Sequence, residues 1–235
     1  MQQADINILC TRPLTPALLD EAKLKGIVID EIEFINTTPI QSVEILQEIE
    51  QAFLLNATVV FTSMNAVEAV TTALQGQIPN WKIYCIGTAT CKLVSEYFTT
   101  SSIAGTAPDA ESLANLIVSD RFIDEVIFFC GDNRRDELPA ILQKNDIDVN
   151  EIIVYETIMV PYKISKKYYG IMFFSPSAVN SFFSINNIDD RTILFAIGNT
   201  TATEIKKYST NKIITSDEPG KENLIGKMME YFGGN

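Results

Sequence analysis

The sequence predicts an α/β chain of two similar, doubly wound parallel-sheet domains joined by two crossover strands. A repeat is the first reason. Val59-Val60-Phe61-Thr62-Ser63-Met64-Asn65-Ala66-Val67 returns as Ile171-Met172-Phe173-Phe174-Ser175-Pro176-Ser177-Ala178-Val179, and Cys85-Ile86-Gly87-Thr88-Ala89-Thr90 returns as Ala196-Ile197-Gly198-Asn199-Thr200-Thr201. The spacing from Ser63 to Gly87 nearly equals that from Ser175 to Gly198. Alternation is the second reason. Continuously apolar runs, as in strands covered on both faces, are separated by helical patterns, which is the order of parallel sheets with crossover helices. The third is a permutation: the sequence around residues 10–34 finds its best partner in the middle of the chain.

Strands are predicted over residues 6–10, 27–34, 58–61, 82–86, 126–130, 151–155, 171–174, 192–197 and 212–215. After the first, Cys10-Thr11-Arg12-Pro13 opens a helix carrying Leu18 and Leu19. Its counterpart is Cys130-Gly131-Asp132-Asn133-Arg134-Arg135, which opens a helix through Leu138 and Leu142. The strands that follow also match, Ile27-Val28-Ile29-Asp30-Glu31-Ile32 against Ile147-Asp148-Val149-Asn150-Glu151-Ile152. Residues 110–119 form a helix with Leu113, Leu116 and Ile117 on one face. A third pairing sets Pro108-Asp109-Ala110-Glu111-Ser112-Leu113 against Pro219-Gly220-Lys221-Glu222-Asn223-Leu224.

These pairings assign residues 1–35 plus 163–235 to a discontinuous domain one and 41–156 to domain two. Residues 36–40 and 157–162 are the interdomain linkers, marked by Pro39 and Pro161, because proline tolerates extended backbone and ends regular pairing. Each domain is of the flavodoxin-like or Rossmann-like kind, whose strand-to-helix turns line the binding crevice. The repeat is strongest at those turns, not across core positions. That favours a ligand cradle in each domain over a duplication kept for stability alone, and a cleft between such domains suits a small molecule.

Composition narrows the function. The 235 residues are 46% hydrophobic, enough for a sizeable core, and carry a net charge of −12. Nucleic acid is excluded as a partner, since phosphate binding needs a dense basic face. Met1-Gln2-Gln3-Ala4-Asp5 lacks the basic and apolar regions of a signal peptide, and no apolar run is long enough to span a bilayer, so a cytoplasmic location without membrane contact is expected. Cys10, Cys85, Cys91 and Cys130 lack metal-ligand spacing, and those in strand-like runs are expected as buried reduced thiols. There is no histidine, which removes Ser-His-Asp and Cys-His catalysis and makes a zinc site a poor fit.

Five motifs in order, Thr62-Ser63-x-Asn65-Ala66-Val67, Ile86-Gly87-x-Ala89-Thr90, Val154-Tyr155-Glu156-Thr157, Phe174-Ser175-Pro176-Ser177 and Ile197-Gly198-x-Thr200-Thr201-Ala202, resemble the uroporphyrinogen-III synthase family over nearly the full chain. The resemblance implies a carbon–oxygen lyase of tetrapyrrole (haem) biosynthesis that uses no cofactor and no metal. It implies the carboxylate-rich linear tetrapyrrole hydroxymethylbilane as substrate, cyclised to uroporphyrinogen III with inversion of ring D and loss of water. That substrate also closes unaided to the uninverted isomer, so the catalyst's task is to select one closure by conformational restraint.

Helix N-termini at the turns of Ser63, Gly87, Ser175 and Gly198 offer amide donors and a positive dipole end to carboxylates. Gly87 and Gly198 would let a ligand approach the backbone. Thr88 belongs to the same cradle, and Ser63, Thr90, Ser175, Ser177, Thr200 and Thr201 can add hydroxyl donors, with helix capping the equally weighted role. Arg12 and Arg134 stand beyond strand ends, where a guanidinium can grip a carboxylate bidentately; Arg135 and Lys92 read rather as solvated surface charges. Tyr155 is the catalytic candidate. By resemblance the tyrosine of its motif aids departure of the hydroxyl, and an ordinary phenol stays protonated at neutral pH; the plainer role is a half-buried linker aromatic. A monomer is the working expectation. A non-catalytic cytosolic two-domain binding protein for an anionic metabolite is the alternative. A nucleotide-binding module lacks its Gly-x-Gly-x-x-Gly or Gly-x-x-x-x-Gly-Lys-[Ser/Thr] motif.

Overall fold

The computed structural model describes residues 6–216 and 220–233; the Met1-Gln2-Gln3-Ala4-Asp5 start and Pro219 of the third pairing lie outside the described residues. In chain order the elements are β1 (Ile6–Cys10), α1 (Pro16–Leu24), β2 (Ile27–Glu31), β3 (Ile35–Pro39), α2 (Val43–Phe53), β4 (Thr58–Phe61), α3 (Met64–Leu74) and β5 (Lys82–Ile86). Then come α4 (Gly87–Tyr97), β6 (Ile103–Ala107), α5 (Ala110–Ser119), β7 (Glu125–Gly131), α6 (Glu137–Lys144) and β8 (Asp148–Met159). The chain ends through β9 (Gly170–Phe173), α7 (Pro176–Phe183), β10 (Ile193–Ala196), α8 (Asn199–Ile205), β11 (Ile213–Thr215) and α9 (Lys221–Gly233).

Two compact units result. Unit 1 takes the chain up to Asn36 and from Ile158 onward; unit 2 is Thr37–Thr157. Unit 1 holds a five-stranded sheet in the order β11-β10-β9-β1-β2, with every neighbouring pair parallel. The six-stranded sheet runs β3-β8-β7-β4-β5-β6, with the run from β8 to β6 parallel throughout. Both sheets are α/β and doubly wound, as the alternation predicts.

Strand chemistry explains the two-sided cover. In β4, Val59 and Phe61 point to one face and Val60 to the other, and all three are fully buried. The first face packs on α2, α3 and α4 through Ile49, Val67 and Val94; the second packs on α5 and α6 through Leu113 and Leu142. Unit 1 repeats the scheme: Leu9 faces α7 and α8, and Ile8 and Cys10 face α1 and α9. Phe61 stacks on Phe129 at 5.5 Å between ring centroids, and the Trp81 indole donates to the Ala52 carbonyl at 2.9 Å. Burying one such ring is worth about 1.5–3 kcal/mol. Helix starts follow the polar turns, with Ser42, Ser63, Asp109 and Ser175 each capping through its side chain, and Pro16 and Pro176 in the first turn.

The nine predicted strands are present, but β3 and β6 were not among them. Ile103-Ala104-Gly105-Thr106-Ala107 is a half-exposed edge strand whose small residues mute the period-2 signal. β3 lies where a linker is expected, and β8 runs on to Met159, well past the expected 151–155. Extended linker residues can join a ladder wherever a neighbouring edge is open, and local sequence does not reveal that edge.

Candidate active site

In an open α/β sheet the crevice forms where the strand order reverses. In unit 2 the chain builds β4, β5 and β6 in one direction and then returns to lay β7 and β8 on the other side of β4. The reversal therefore falls between β4 and β7. Ser63 follows the end of β4, Gly131 closes β7, and Tyr155 sits opposite Gly131 in the β7–β8 register.

Ser63 holds an extended backbone (φ −147°, ψ 150°), and its hydroxyl accepts from the Ala66 amide at 3.2 Å, starting α3. That bond uses an oxygen lone pair and leaves the hydroxyl hydrogen to donate. The Tyr155 ring packs half-buried against the aromatic core of unit 2. Burial pushes its phenol above the ordinary value, with Cys130 and Asp132 adding to the rise, while hydrogen bonds from Ser63 and Asn65 act in the opposite sense. The phenol is thus neutral at physiological pH and carries a hydrogen it can donate. The backbone here is pinned by the Asp132 amide on the Tyr155 carbonyl at 3.1 Å and the Thr157 amide on the Asp132 carboxylate at 3.0 Å.

The β5 turn lies next to β4. Gly87 takes φ +70°, a left-handed conformation that favours glycine, and begins α4 with no side-chain cap. Gly87 and Thr88 line an open cavity of about 730 Å³ with Cys91, Lys92, Thr106 and Pro108. Lys92 is exposed and pairs weakly with Glu96 at 3.9 Å. Thr90 is buried.

Unit 1 places the repeated turns beyond the ends of β9 and β10, with Arg12 just beyond neighbouring β1; β2 lies on one side of β1 and β9 to β11 on the other, so the reversal lies between β1 and β9. Ser175 reproduces the Ser63 cap, accepting from the Ala178 amide at 3.2 Å from φ −158°. The glycine turns differ: Gly198 has φ −174°, an extended backbone any residue adopts, and α8 also lacks a side-chain cap. Thr201, the counterpart of Thr90, is buried too, whereas Thr200 is exposed and Ser177 half-buried. Arg12 is exposed.

Arg134 is engaged within its own unit. Its guanidinium is paired with Glu151 and with Asp136, while Arg135 is exposed. Asn65 is the residue that the candidate set missed. It occupies in the first repeat the position of Ser177 in the second, so the repeat itself carried the signal.

The cysteines correct one expectation. Cys10 and Cys130 are free and buried, and burial pushes their thiols up to about 12 and about 11. Cys85, expected as a reduced thiol, is instead joined to Cys91 in a disulfide with Cα atoms 5.6 Å apart. β5 ends at Ile86 and α4 begins at Gly87, so the chain folds back at once and the first turns of α4 bring Cys91 over Cys85. Spacing in the sequence alone does not report this reversal.

Comparison with known proteins places the chain in a family. The sequence model of the family described as uroporphyrinogen-III synthase HemD matches residues 17–226. The fold is similar to a crystal structure of a mutant uroporphyrinogen III synthase from the extremely thermophilic bacterium Thermus thermophilus, with a TM-score of 0.67 at 12% identity, covering 97% of this chain and 98% of that one. It is also similar to uroporphyrinogen-III synthetase from Helicobacter pylori, with a TM-score of 0.63 at 16% identity, covering 96% and 99%. With the family model matched over most of its length, the chain belongs to the uroporphyrinogen-III synthase family.

Proposed function

We propose that Tyr155 is the catalytic residue of this chain and that the amides and hydroxyls of the strand-end turns hold the substrate's carboxylates. The reaction is that of the family: hydroxymethylbilane is cyclised to uroporphyrinogen III, with inversion of ring D and loss of water. Family membership sets aside the non-catalytic alternative.

The hydroxyl of hydroxymethylbilane leaves under the push of the adjacent pyrrole nitrogen, and it leaves as water only if its oxygen gains a proton. A neutral phenol at the strand-end edge can supply a hydrogen bond or that proton. The observation that carries the reading is the place of Tyr155, opposite Gly131 at the end of β7 and packed on the cluster that holds Phe61 and Ala66, with burial keeping its phenol protonated. Each unit has its own proposed carboxylate cradle: in unit 2 the turns at Ser63, Gly87, Thr88 and Thr90 with Arg134, and in unit 1 the turns at Ser175, Ser177, Gly198, Thr200 and Thr201 with Arg12. Arg134 would contribute the face of its guanidinium not taken by Glu151 and Asp136. Among the described residues no helix is long and apolar enough to cross a membrane; a cytoplasmic monomer without nucleic-acid partners is part of the proposal.

The test is Tyr155→Phe mixed with freshly prepared hydroxymethylbilane, with products separated by isomer. Turnover should fall by about 10²-fold while the folded state persists, and the uninverted isomer should gain share because spontaneous closure continues. Near-normal turnover would remove Tyr155 from the chemistry.

A further inference from the structure

We infer that Gly131 is a positioning residue for Tyr155: its bare Cα is the seat on which the aromatic ring lies, and that seat aims the phenol at the β4 turn. The inference rests on the reading of Tyr155 given above. A Cβ built at residue 131 would stand 2.3 Å from Cζ of Tyr155, 2.5 Å from Cε2 and 2.7 Å from the phenol oxygen. Those distances are far inside van der Waals contact, so ring and methyl group cannot share the space.

Backbone conformation does not require the glycine. The positive-φ glycines among the described residues are Gly26, Gly76, Gly87 and Gly220. What requires it is the register. Tyr155 pairs with Gly131 at a shift in the β7–β8 ladder, next to Cys130. The Asp132 amide and side chain fix the backbone from the Tyr155 carbonyl to Thr157. An added methyl therefore displaces the ring, which turns about χ1, sooner than the pinned strand.

Packing alone also makes such pairs, since an aromatic ring can shield a glycine on a neighbouring strand. Gly105 does this under Tyr84 in the same sheet, with a built Cβ 2.7 Å from the ring. The two pairs part company at the phenol. Tyr84 ends on the Asp120 carboxylate at 3.4 Å, away from the strand-end turns. Tyr155 instead packs on the cluster that holds Phe61 at the end of β4 and Ala66 in the first turn of α3, at the point where the strand order reverses.

The experiment compares Gly131→Ala, Tyr155→Phe, Tyr155→Ala and the double variant Gly131→Ala/Tyr155→Ala in the full chain. Protein labelled with ¹³C at tyrosine Cζ, with the Tyr155 resonance assigned from Tyr155→Phe, reports ring position without substrate. Gly131→Ala should move that resonance and bring its titration toward an ordinary phenol. Its kcat should fall about as far as that of Tyr155→Phe, roughly 10²-fold, with KM little changed. On the Tyr155→Ala background, where the seat is empty, Gly131→Ala should alter neither melting temperature nor turnover; this comparison holds even if the single variant folds poorly. An unmoved resonance in Gly131→Ala, or an equal loss of turnover with and without the tyrosine ring, overturns the proposal. A moved resonance in a protein whose Tyr155→Phe variant is fully active supports the seat and instead refutes the catalytic reading of Tyr155.

Discussion

Replacing Ser63 and Ser175 by alanine, one at a time, separates a helix cap from a contact that serves chemistry. The two serines are repeat partners with the same cap, each hydroxyl accepting from the amide three residues on at 3.2 Å. Each loss should cost about 1 kcal/mol. For a chain of this size that corresponds to about 2–4 °C in melting temperature for either variant. Ser63 also stands at the β4 turn by Tyr155 and acts to lower its phenol against the larger rise from burial; among the described residues the cap is the one side-chain bond of Ser175. Losing one neutral hydrogen bond is worth about 0.5–1.5 kcal/mol, or about a 2- to 10-fold drop in kcat. Ser63→Ala should therefore lower kcat by that factor, whereas Ser175→Ala should raise KM and leave kcat in place. The assay is thermal unfolding of both variants beside steady-state conversion of hydroxymethylbilane, quenched and resolved by isomer. Equal kcat for the two variants, at equal stability loss, would refute the link from Ser63 to Tyr155.

The glycine turns give a parallel contrast. Gly87→Ala puts a side chain at φ +70° with nothing within 4 Å to clash, so its cost of about 1–2 kcal/mol is backbone strain; Gly198→Ala, at φ −174°, should lose far less, and equal denaturation midpoints would contradict the assigned conformations. The Asp30 carboxylate supplies the pH prediction. Burial raises its pKa, but bonds from Lys166 at 2.7 Å and from Tyr168 at 2.9 Å outweigh that and leave it below 3.8. A carboxyl lowered by folding adds stability above its unfolded value, and that stability disappears as pH falls through the folded value. Asp30→Asn should thus narrow the stability gap between pH 7 and pH 2. Because the Lys166 and Asp30 side chains are 43% and 35% exposed, the change is below about 1 kcal/mol. Identical acid limbs for the two proteins in denaturant titrations would reject it.

Much of the architecture was legible because strands buried on both faces must be continuously apolar. Val59-Val60-Phe61 and Ile171-Met172-Phe173 announce themselves, and their polar turns announce the helices that follow. The edges of the six-stranded sheet were not legible. β6, with Gly105 and two alanines, carries little periodicity, and β3 becomes a strand only because a neighbouring edge accepts it. At the candidate site the repeat singled out Ser63, Gly87, Ser175 and Gly198, but it did not distinguish the left-handed Gly87 from the extended Gly198.

Local pattern determined that this chain forms parallel sheets under helices, where its turns lie, and which polar residues stand in them, since burial and capping act on near neighbours. Only tertiary structure decided strand order, and with it the reversal between β4 and β7 that gathers Ser63, Gly131 and Tyr155. It also decided the Cys85–Cys91 disulfide and the pairing of Arg134 with Glu151. Each of these depends on which distant segments become neighbours across a sheet or around a tight turn, and that choice comes from the summed packing of the whole core, not from any short stretch of sequence.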